Sequence, residues 1–321
     1  MIGRVAWITD TGRKRRRNED AYVCEPPLFA IADGMGGAQA GEVASRLAAA
    51  ALRESGAAAG GEQRIVDLIQ EANRRVYDRS STDPTTSGMG TTITVALAED
   101  GQVAFGHVGD SRAYLIREGT MEQVTEDHSL VNELLKSGKL SPEEAETHPQ
   151  RSVITRALGT DPDVDVDTFT IAAETGDLFL LCSDGLTDMV EEHAILELVE
   201  RNRGDIDAAL KALVKAANRG GGEDNITVVA FEISDALMHD GQTQEQALPP
   251  ERARKVEDQE TLDETDAVPV VDPMVISKDD IQEVAAQKRA KRRRWRRRVL
   301  AWLVLLLLLV GVAALVWRIF T

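Results

Sequence analysis

Four aspartates stand where apolar runs meet turns. Leu28 to Ala32 leads into Asp33-Gly34, Val103 to Val108 into Gly109-Asp110-Ser111, and Leu178 to Ser183 into Asp184-Gly185; Asp224 just precedes the run Ile226 to Ile233. A lone Asp-Gly pair is ordinary β-turn chemistry. A two-residue hairpin, however, needs a second strand at once. Here the chain passes into helical patterns after Gly36-Gly37 and after Thr187-Asp188, so turns account poorly for these pairs. In an antiparallel sheet the end of one strand shares an edge with the start of its neighbour, so the four carboxylates can converge. Converged carboxylates repel unless a cation lies between them, and an all-oxygen ligand set selects a hard ion, Mg2+ or Mn2+. The five histidines are scattered without zinc spacing. Cys24 and Cys182 sit in apolar contexts that suggest no thiol nucleophile.

The run Arg13-Lys14-Arg15-Arg16-Arg17-Asn18-Glu19-Asp20 is the other unusual feature. It reads either as a solvated basic loop, or as a guanidinium that grips phosphate in bidentate fashion while Glu19 and Asp20 orient metal-bound water.

Strands that could carry these residues are expected near 4–8, 28–32, 91–97, 102–108, 111–116, 164–170, 177–182 and 226–233. Helical periodicity falls near 40–54, 63–79, 128–137, 191–202 and 205–218; the first places Val43, Leu47 and Ala51 beside Ala44, Ala48 and Leu52 on one stripe. Strands are grouped between pairs of helices and do not alternate strictly with them, which predicts an α+β fold with an antiparallel sheet. Residues 138–155 are irregular and polar, and read as a flap or as a structural loop.

The charge is unevenly spread. The 321 residues hold 37 Lys+Arg against 54 Asp+Glu, a net −17, which argues against a general nucleic-acid binder. Residues 1–234 carry 23 basic and 40 acidic side chains, and 235–287 carry 4 and 14 with four prolines and no aromatic, the pattern of a disordered tether. At about 5–6 Å × √n such a tether reaches roughly 40 Å. Residues 288–298 hold nine Lys/Arg and no acid; Val299 to Trp317 are 19 residues without a charge. At about 1.5 Å per residue the last stretch spans roughly 28 Å, a bilayer core, with Trp302 and Trp317 near its ends. The basic block before it predicts a cytoplasmic N-terminal side and contact with anionic lipid. The expected domains are 1–234 (catalytic), 235–287 (linker), 288–298 (juxtamembrane) and 299–317 (transmembrane helix), with the chain tail-anchored. The absence of a signal-peptide core and the paucity of cysteine agree with a reducing compartment for the bulk of the chain.

Seven short motifs occur in order: Arg15-x-x-Asn18-Glu19-Asp20, Ala32-Asp33-Gly34-Met35-Gly36-Gly37, Gly90-Thr91-Thr92, Gly109-Asp110-Ser111-Arg112, Thr125-x-Asp127-His128-Ser129, Ser183-Asp184-Gly185-Leu186 and Asp224-Asn225-Ile226-Thr227. Together, over 1–234, they resemble the PP2C (PPM) family of metal-dependent protein serine/threonine phosphatases in its bacterial form. The resemblance implies a β-sandwich of two antiparallel sheets flanked by helix pairs, with a dinuclear Mn2+ or Mg2+ centre at one end. It implies that Asp33 bridges the two metals, that the Gly34 carbonyl binds one, and that Asp184 and Asp224 complete the other. Glu19 and Asp20 would hold coordinated waters, and Arg15 the substrate phosphate. Asp110 with Asp184 matches the position of a third metal in bacterial members, with Asp188 in support. Metal-activated water would then hydrolyse phosphoserine and phosphothreonine in proteins, reversing Ser/Thr kinase signalling at the cytoplasmic membrane face; a membrane Ser/Thr protein kinase is the implied counterpart. Some relatives place a histidine after the Asp-Gly pair as leaving-group acid; Met35 stands there in this chain. The competing readings are a catalytically inactive phosphoprotein-binding scaffold and a two-metal phosphoesterase for small phosphates.

Overall fold

The apolar runs owe their length to burial on both faces. In Leu28 to Ala32, Phe29 and Ile31 face one core while Leu28, Ala30 and Ala32 face another. The runs 178–182 and 226–231 split in the same way. A strand covered on both sides reads as continuous apolar sequence and not as alternation.

The computed structural model describes residues 1–36, 40–55, 60–141, 144–145 and 148–234, all within the first of two compact units, Met1–Glu245. The expected linker, basic block and transmembrane helix lie outside the described residues. Among the described residues no helix is long and apolar enough to cross a membrane.

Eleven strands are described: β1 (Ile2–Asp10), β2 (Asp20–Glu25), β3 (Leu28–Met35), β4 (Gly90–Thr91), β5 (Ile93–Glu99), β6 (Gln102–Val108), β7 (Arg112–Arg117), β8 (Thr120–Gln123), β9 (Asp167–Ala172), β10 (Leu178–Cys182) and β11 (Ile226–Ile233). One sheet has the order β1-β11-β10-β7-β8 and the other β2-β3-β5-β6-β9, with β4 paired to β3; every pairing is antiparallel. Phenylalanines fill the space between the sheets, Phe29 on Phe231 at 4.0 Å and Phe179 on Phe231 at 5.1 Å between ring centroids.

Helices α1 (Ala40–Ser55) and α2 (Gly61–Thr82) cover the β2-β3-β5-β6-β9 sheet, and α5 (Glu192–Arg201) and α6 (Ile206–Gly220) cover the other. Two short helices, α3 (Leu130–Lys136) and α4 (Asp184–Thr187), lie between them in sequence. The expected α+β sandwich with flanking helix pairs is the architecture found. Four elements differ from expectation: β2, β8 and α4 were not foreseen, and β3 runs on through Met35. Asp33 and Gly34 are therefore strand residues, paired with Asp20 and Thr91.

Candidate active site

The antiparallel order brings the ends of β3, β6 and β10 and the starts of β2 and β11 to one end of the sandwich. Asp20 opens β2 directly opposite Asp33 in β3. Ser183 stands at the N-cap position of α4, so Asp184 sits in its first turn. Asp224 and Asp110 lie two residues before β11 and two after β6.

Hydrogen bonds hold the backbone of this end in place. The Thr92 amide and the Thr91 hydroxyl both donate to the Asp33 carbonyl, at 2.9 and 2.8 Å. The Gly34 amide donates to the Glu19 carbonyl at 3.1 Å, which also accepts from the Ser45 hydroxyl of α1 at 2.5 Å. Asn225 joins three segments: its Oδ1 accepts from the Glu19 amide at 2.7 Å, and its Nδ2 donates to the carbonyls of Thr11 and Arg17 at 3.0 and 2.9 Å. Thr92, Ser45 and Asn225 were assigned no role from sequence. Asn225 and Thr92 were visible only as motif letters, and Ser45 is one small residue on an amphipathic helix.

The carboxylates themselves are poorly satisfied. Oδ2 of Asp20 accepts from the hydroxyls of Ser183 and Thr227 at 2.9 and 2.6 Å, but its Oδ1 is enclosed without a partner, as is Oδ1 of Asp184. A buried carboxylate oxygen with no donor costs about 1–3 kcal/mol or more. Burial, followed by the neighbouring charges, pushes Asp33 and Asp184 well above the usual carboxylate range. For Asp33 those charges are Asp20, Asp184, Asp110 and Asp224. Burial raises Asp20 to about 6 against its two hydroxyl donors, and raises Asp110 to about 6 with help from Asp127 and Asp188. Glu19 and Asp188 are also raised, by burial first.

Few cations pair with these carboxylates. Arg15 Nη2 lies 2.5 Å from Asp224 Oδ2; burial works against its charge, but Asp224, Glu19 and Asp33 outweigh it and raise its pKa. Arg151, in the expected flap, lies 3.6 Å from Asp188. Arg112 is spent on Asp127, which it grips through Nε and Nη2. A cavity of about 1170 Å3 opens beside Asp110, Asp184 and Asp188 and runs between Val131 of α3, Arg151 and Glu192 of α5.

Among the described residues no three His, Cys, Asp or Glu side chains stand close enough to hold an ion as they are. The donor set nevertheless fits one. It consists of oxygens only, two of them enclosed and unpaired, and the carboxylates raise one another's pKa as groups do when a shared counter-charge is lacking. All the expected site residues, Arg15, Glu19, Asp20, Asp33, Gly34, Asp110, Asp184, Asp188 and Asp224, belong to this end of the sandwich.

Comparison with known proteins agrees with this geometry. Protein phosphatase 2C matches residues 13–219. The serine/threonine phosphatase stp of Listeria innocua is 42% identical over 236 residues, covering 70% of this chain and 93% of that protein. The serine/threonine protein phosphatase PstP of Mycobacterium tuberculosis is 40% identical over 248 residues, 76% of this chain and 47% of that protein. A crystal structure of M. tuberculosis PstP superposes with a TM-score of 0.70 at 38% identity, covering 73% of this chain and all of the other. The catalytic domain of PstP solved in complex with two manganese ions gives 0.67 at 36% identity, covering 73% of this chain and 99% of the other. With the family matched over well over half of the chain, the chain belongs to the protein phosphatase 2C family and is a protein serine/threonine phosphatase.

Proposed function

We propose that this phosphatase works with a dinuclear Mn2+ or Mg2+ centre held by Asp33, the Gly34 carbonyl, Asp184 and Asp224. The observation that carries the reading is the pair of enclosed, unpaired carboxylate oxygens on Asp20 and Asp184 within a cluster of mutually repelling aspartates. Bound there, such ions supply a water nucleophile at neutral pH and neutralise the phosphoryl oxygens.

The chain's own residues do the rest. Arg15, exposed and held to Asp224 through one nitrogen, has its remaining donors free to take two phosphoryl oxygens at once. Asp20 is fixed by Ser183 and Thr227, and Glu19 has its carbonyl and amide both tied down; both carboxylates would hold water at such a centre. Asp110 and Asp188, with Asp184, offer oxygens for a third ion. Met35 can hold no proton, so the seryl or threonyl leaving group takes its proton from water.

The experiment is to assay the full chain on phosphothreonine peptides and on p-nitrophenyl phosphate with Mn2+, with EDTA, and after Asp33→Ala. Turnover that needs metal and disappears in Asp33→Ala is expected; turnover indifferent to EDTA, or none, refutes the reading. Hydrolysis of p-nitrophenyl phosphate alone would favour a small-phosphate phosphoesterase.

The same proposal extends to location. The basic block 288–298 and the 19 uncharged residues 299–317 support a membrane tether that keeps the catalytic unit at the cytoplasmic face, near phosphorylated membrane proteins such as a Ser/Thr kinase. Truncation after residue 287 should move the protein from the membrane to the soluble fraction. Continued membrane association of the truncated chain would contradict a single anchor.

A further inference from the structure

Five consecutive cations, Arg13 to Arg17, occupy the loop between β1 and β2, and all five are exposed. Two of them have a carboxylate. Arg15 pairs with Asp224, and Arg17 Nη1 lies 3.7 Å from Glu42 Oε2. Among the described residues, no ion pair or side-chain hydrogen bond engages Arg13, Lys14 or Arg16. This is unusual company: residues 1–234 carry 40 acids against 23 bases, so an unpaired cluster of positive charge is not what chance surface placement gives.

The loop is also fixed. The amides of Arg13 and Lys14 donate to the Gly222 carbonyl at 2.7 and 3.1 Å. Asn225 ties the carbonyls of Thr11 and Arg17 at the two ends. Gly12 turns at φ +75°, where a Cβ would run into the Asp224 carbonyl. Every one of these anchors lies on the Gly222–Asn225 stretch that carries Asp224. The three unpaired cations are thus held at a set place beside Arg15. A solvated basic face needs no such anchoring, whereas a recognition surface gains by it, because less ordering is left to be done on binding.

We propose that Arg13, Lys14 and Arg16 form a second anion subsite, which recognises a carboxylate or phosphate carried by the substrate protein close to the phosphoserine or phosphothreonine at Arg15. The subsite rests on Arg15 being the phosphate ligand, as proposed above. It takes part in no bond making or breaking. It selects among phosphorylated segments by charge, and because the loop is fixed, it favours an anion on one side of the target residue over the other.

The test uses the full chain with Mn2+ and phosphothreonine peptides whose flanking positions carry alanine, glutamate or a second phosphoserine on either side. The variant is R13Q/K14Q/R16Q, which leaves Arg15 and Arg17 in place. The parent protein should show a KM about tenfold lower for acid-flanked than for alanine-flanked peptides, the size to which three exposed ion pairs add up. Phosphoserine should outdo glutamate, and the advantage should shrink as salt is raised. The variant should lose the preference while kcat and the turnover of p-nitrophenyl phosphate, which has no flanks, stay as in the parent; the latter also shows that it is folded. Equal KM values for alanine-flanked and acidic peptides in the parent, or a preference that survives in the variant, overturn the subsite. Absence of metal-dependent turnover of p-nitrophenyl phosphate in the parent is a different failure, that of the metal-centre reading, and it removes the subsite with it.

Discussion

At the scale of single residues the site is a set of unmet demands. Asp184 opens a helix of four residues with one oxygen enclosed and unpaired, and burial with the charges of Asp110 and Asp224 holds its proton on well above the usual range. Removing that charge should therefore separate stability from activity. Asp184→Asn keeps the shape, supplies an amide donor and deletes one member of a repelling cluster. Without metal the variant should be more stable than the parent by about 1 kcal/mol, or a melting temperature higher by about 2–4 °C for a unit of this size. Its Mn2+-dependent phosphatase activity should fall by about a hundredfold or more. Melting curves in EDTA beside peptide kinetics in Mn2+ measure both; a variant less stable than the parent in EDTA would mean that Asp184 is satisfied in the fold. Ordinary core or surface aspartates do not give this opposition of signs.

At the scale of elements, what positions the ligands is the junction of β3 with the first turn of α1. A Cβ on Gly41 would stand 2.5 Å from Glu19 Oε2 and 2.6 Å from the Gly34 carbonyl oxygen, both proposed to serve the metal centre. Glutamate can swing aside at small cost; a strand carbonyl cannot. Helix propensity alone favours Gly41→Ala by about 0.5–1 kcal/mol, but the displaced carbonyl should win where metal is concerned. The expected result is Mn2+ binding weakened about tenfold in titration calorimetry, with far-UV circular dichroism unchanged; unaltered affinity would show that the Gly34 carbonyl is not a ligand. Nothing in the sequence marked Gly41, since a small residue in an amphipathic helix is unremarkable until its neighbour across space is known. The strands were legible to the degree that they are buried. β3, β10 and β11, enclosed by a helix layer on one face and the facing sheet on the other, stood out as apolar runs. β2 and β8 are edge strands in their sheets, with Val23 the only fully buried residue of β2 and none in β8. Their short polar patterns carry no periodicity to read. The motif aspartates were legible because each follows or precedes a buried run, yet Asp33 proved to lie inside its strand. The seven-motif order, and not any single spacing, was what identified the family.

At the scale of the whole molecule, folding forces the carboxylates together before anything neutralises them, so metal and proton compete for the same oxygens. Burial raises Asp20 and Asp110 to about 6 from the ordinary carboxylate value, and Asp33 and Asp184 further. An acid whose pKa is higher in the native than in the unfolded state binds more protons when folded over the interval between the two values. Its contribution to stability is thus fully present below about pH 4 and is lost as pH rises through 6 and beyond. Burial lowers the pKa of His107 to about 4 and also lowers that of His128, and both push stability the other way below about pH 6.5, so the window that isolates the cluster is about 6.5 to 8. In EDTA the melting temperature should fall across that window by several degrees. Mn2+ binds the deprotonated carboxylates, so its stabilisation should be slight at pH 5 and grow with pH, reaching about 3–4 kcal/mol where the ion is at a few hundred times its dissociation constant. The two curves, with and without Mn2+, should diverge steadily as pH rises. A metal-free melting temperature that stays level or climbs between about pH 6.5 and 8 would mean that these aspartates do not share one site. The divergence also ties the fold to the function: the charge that weakens the empty domain near neutral pH is the charge that holds its ions there.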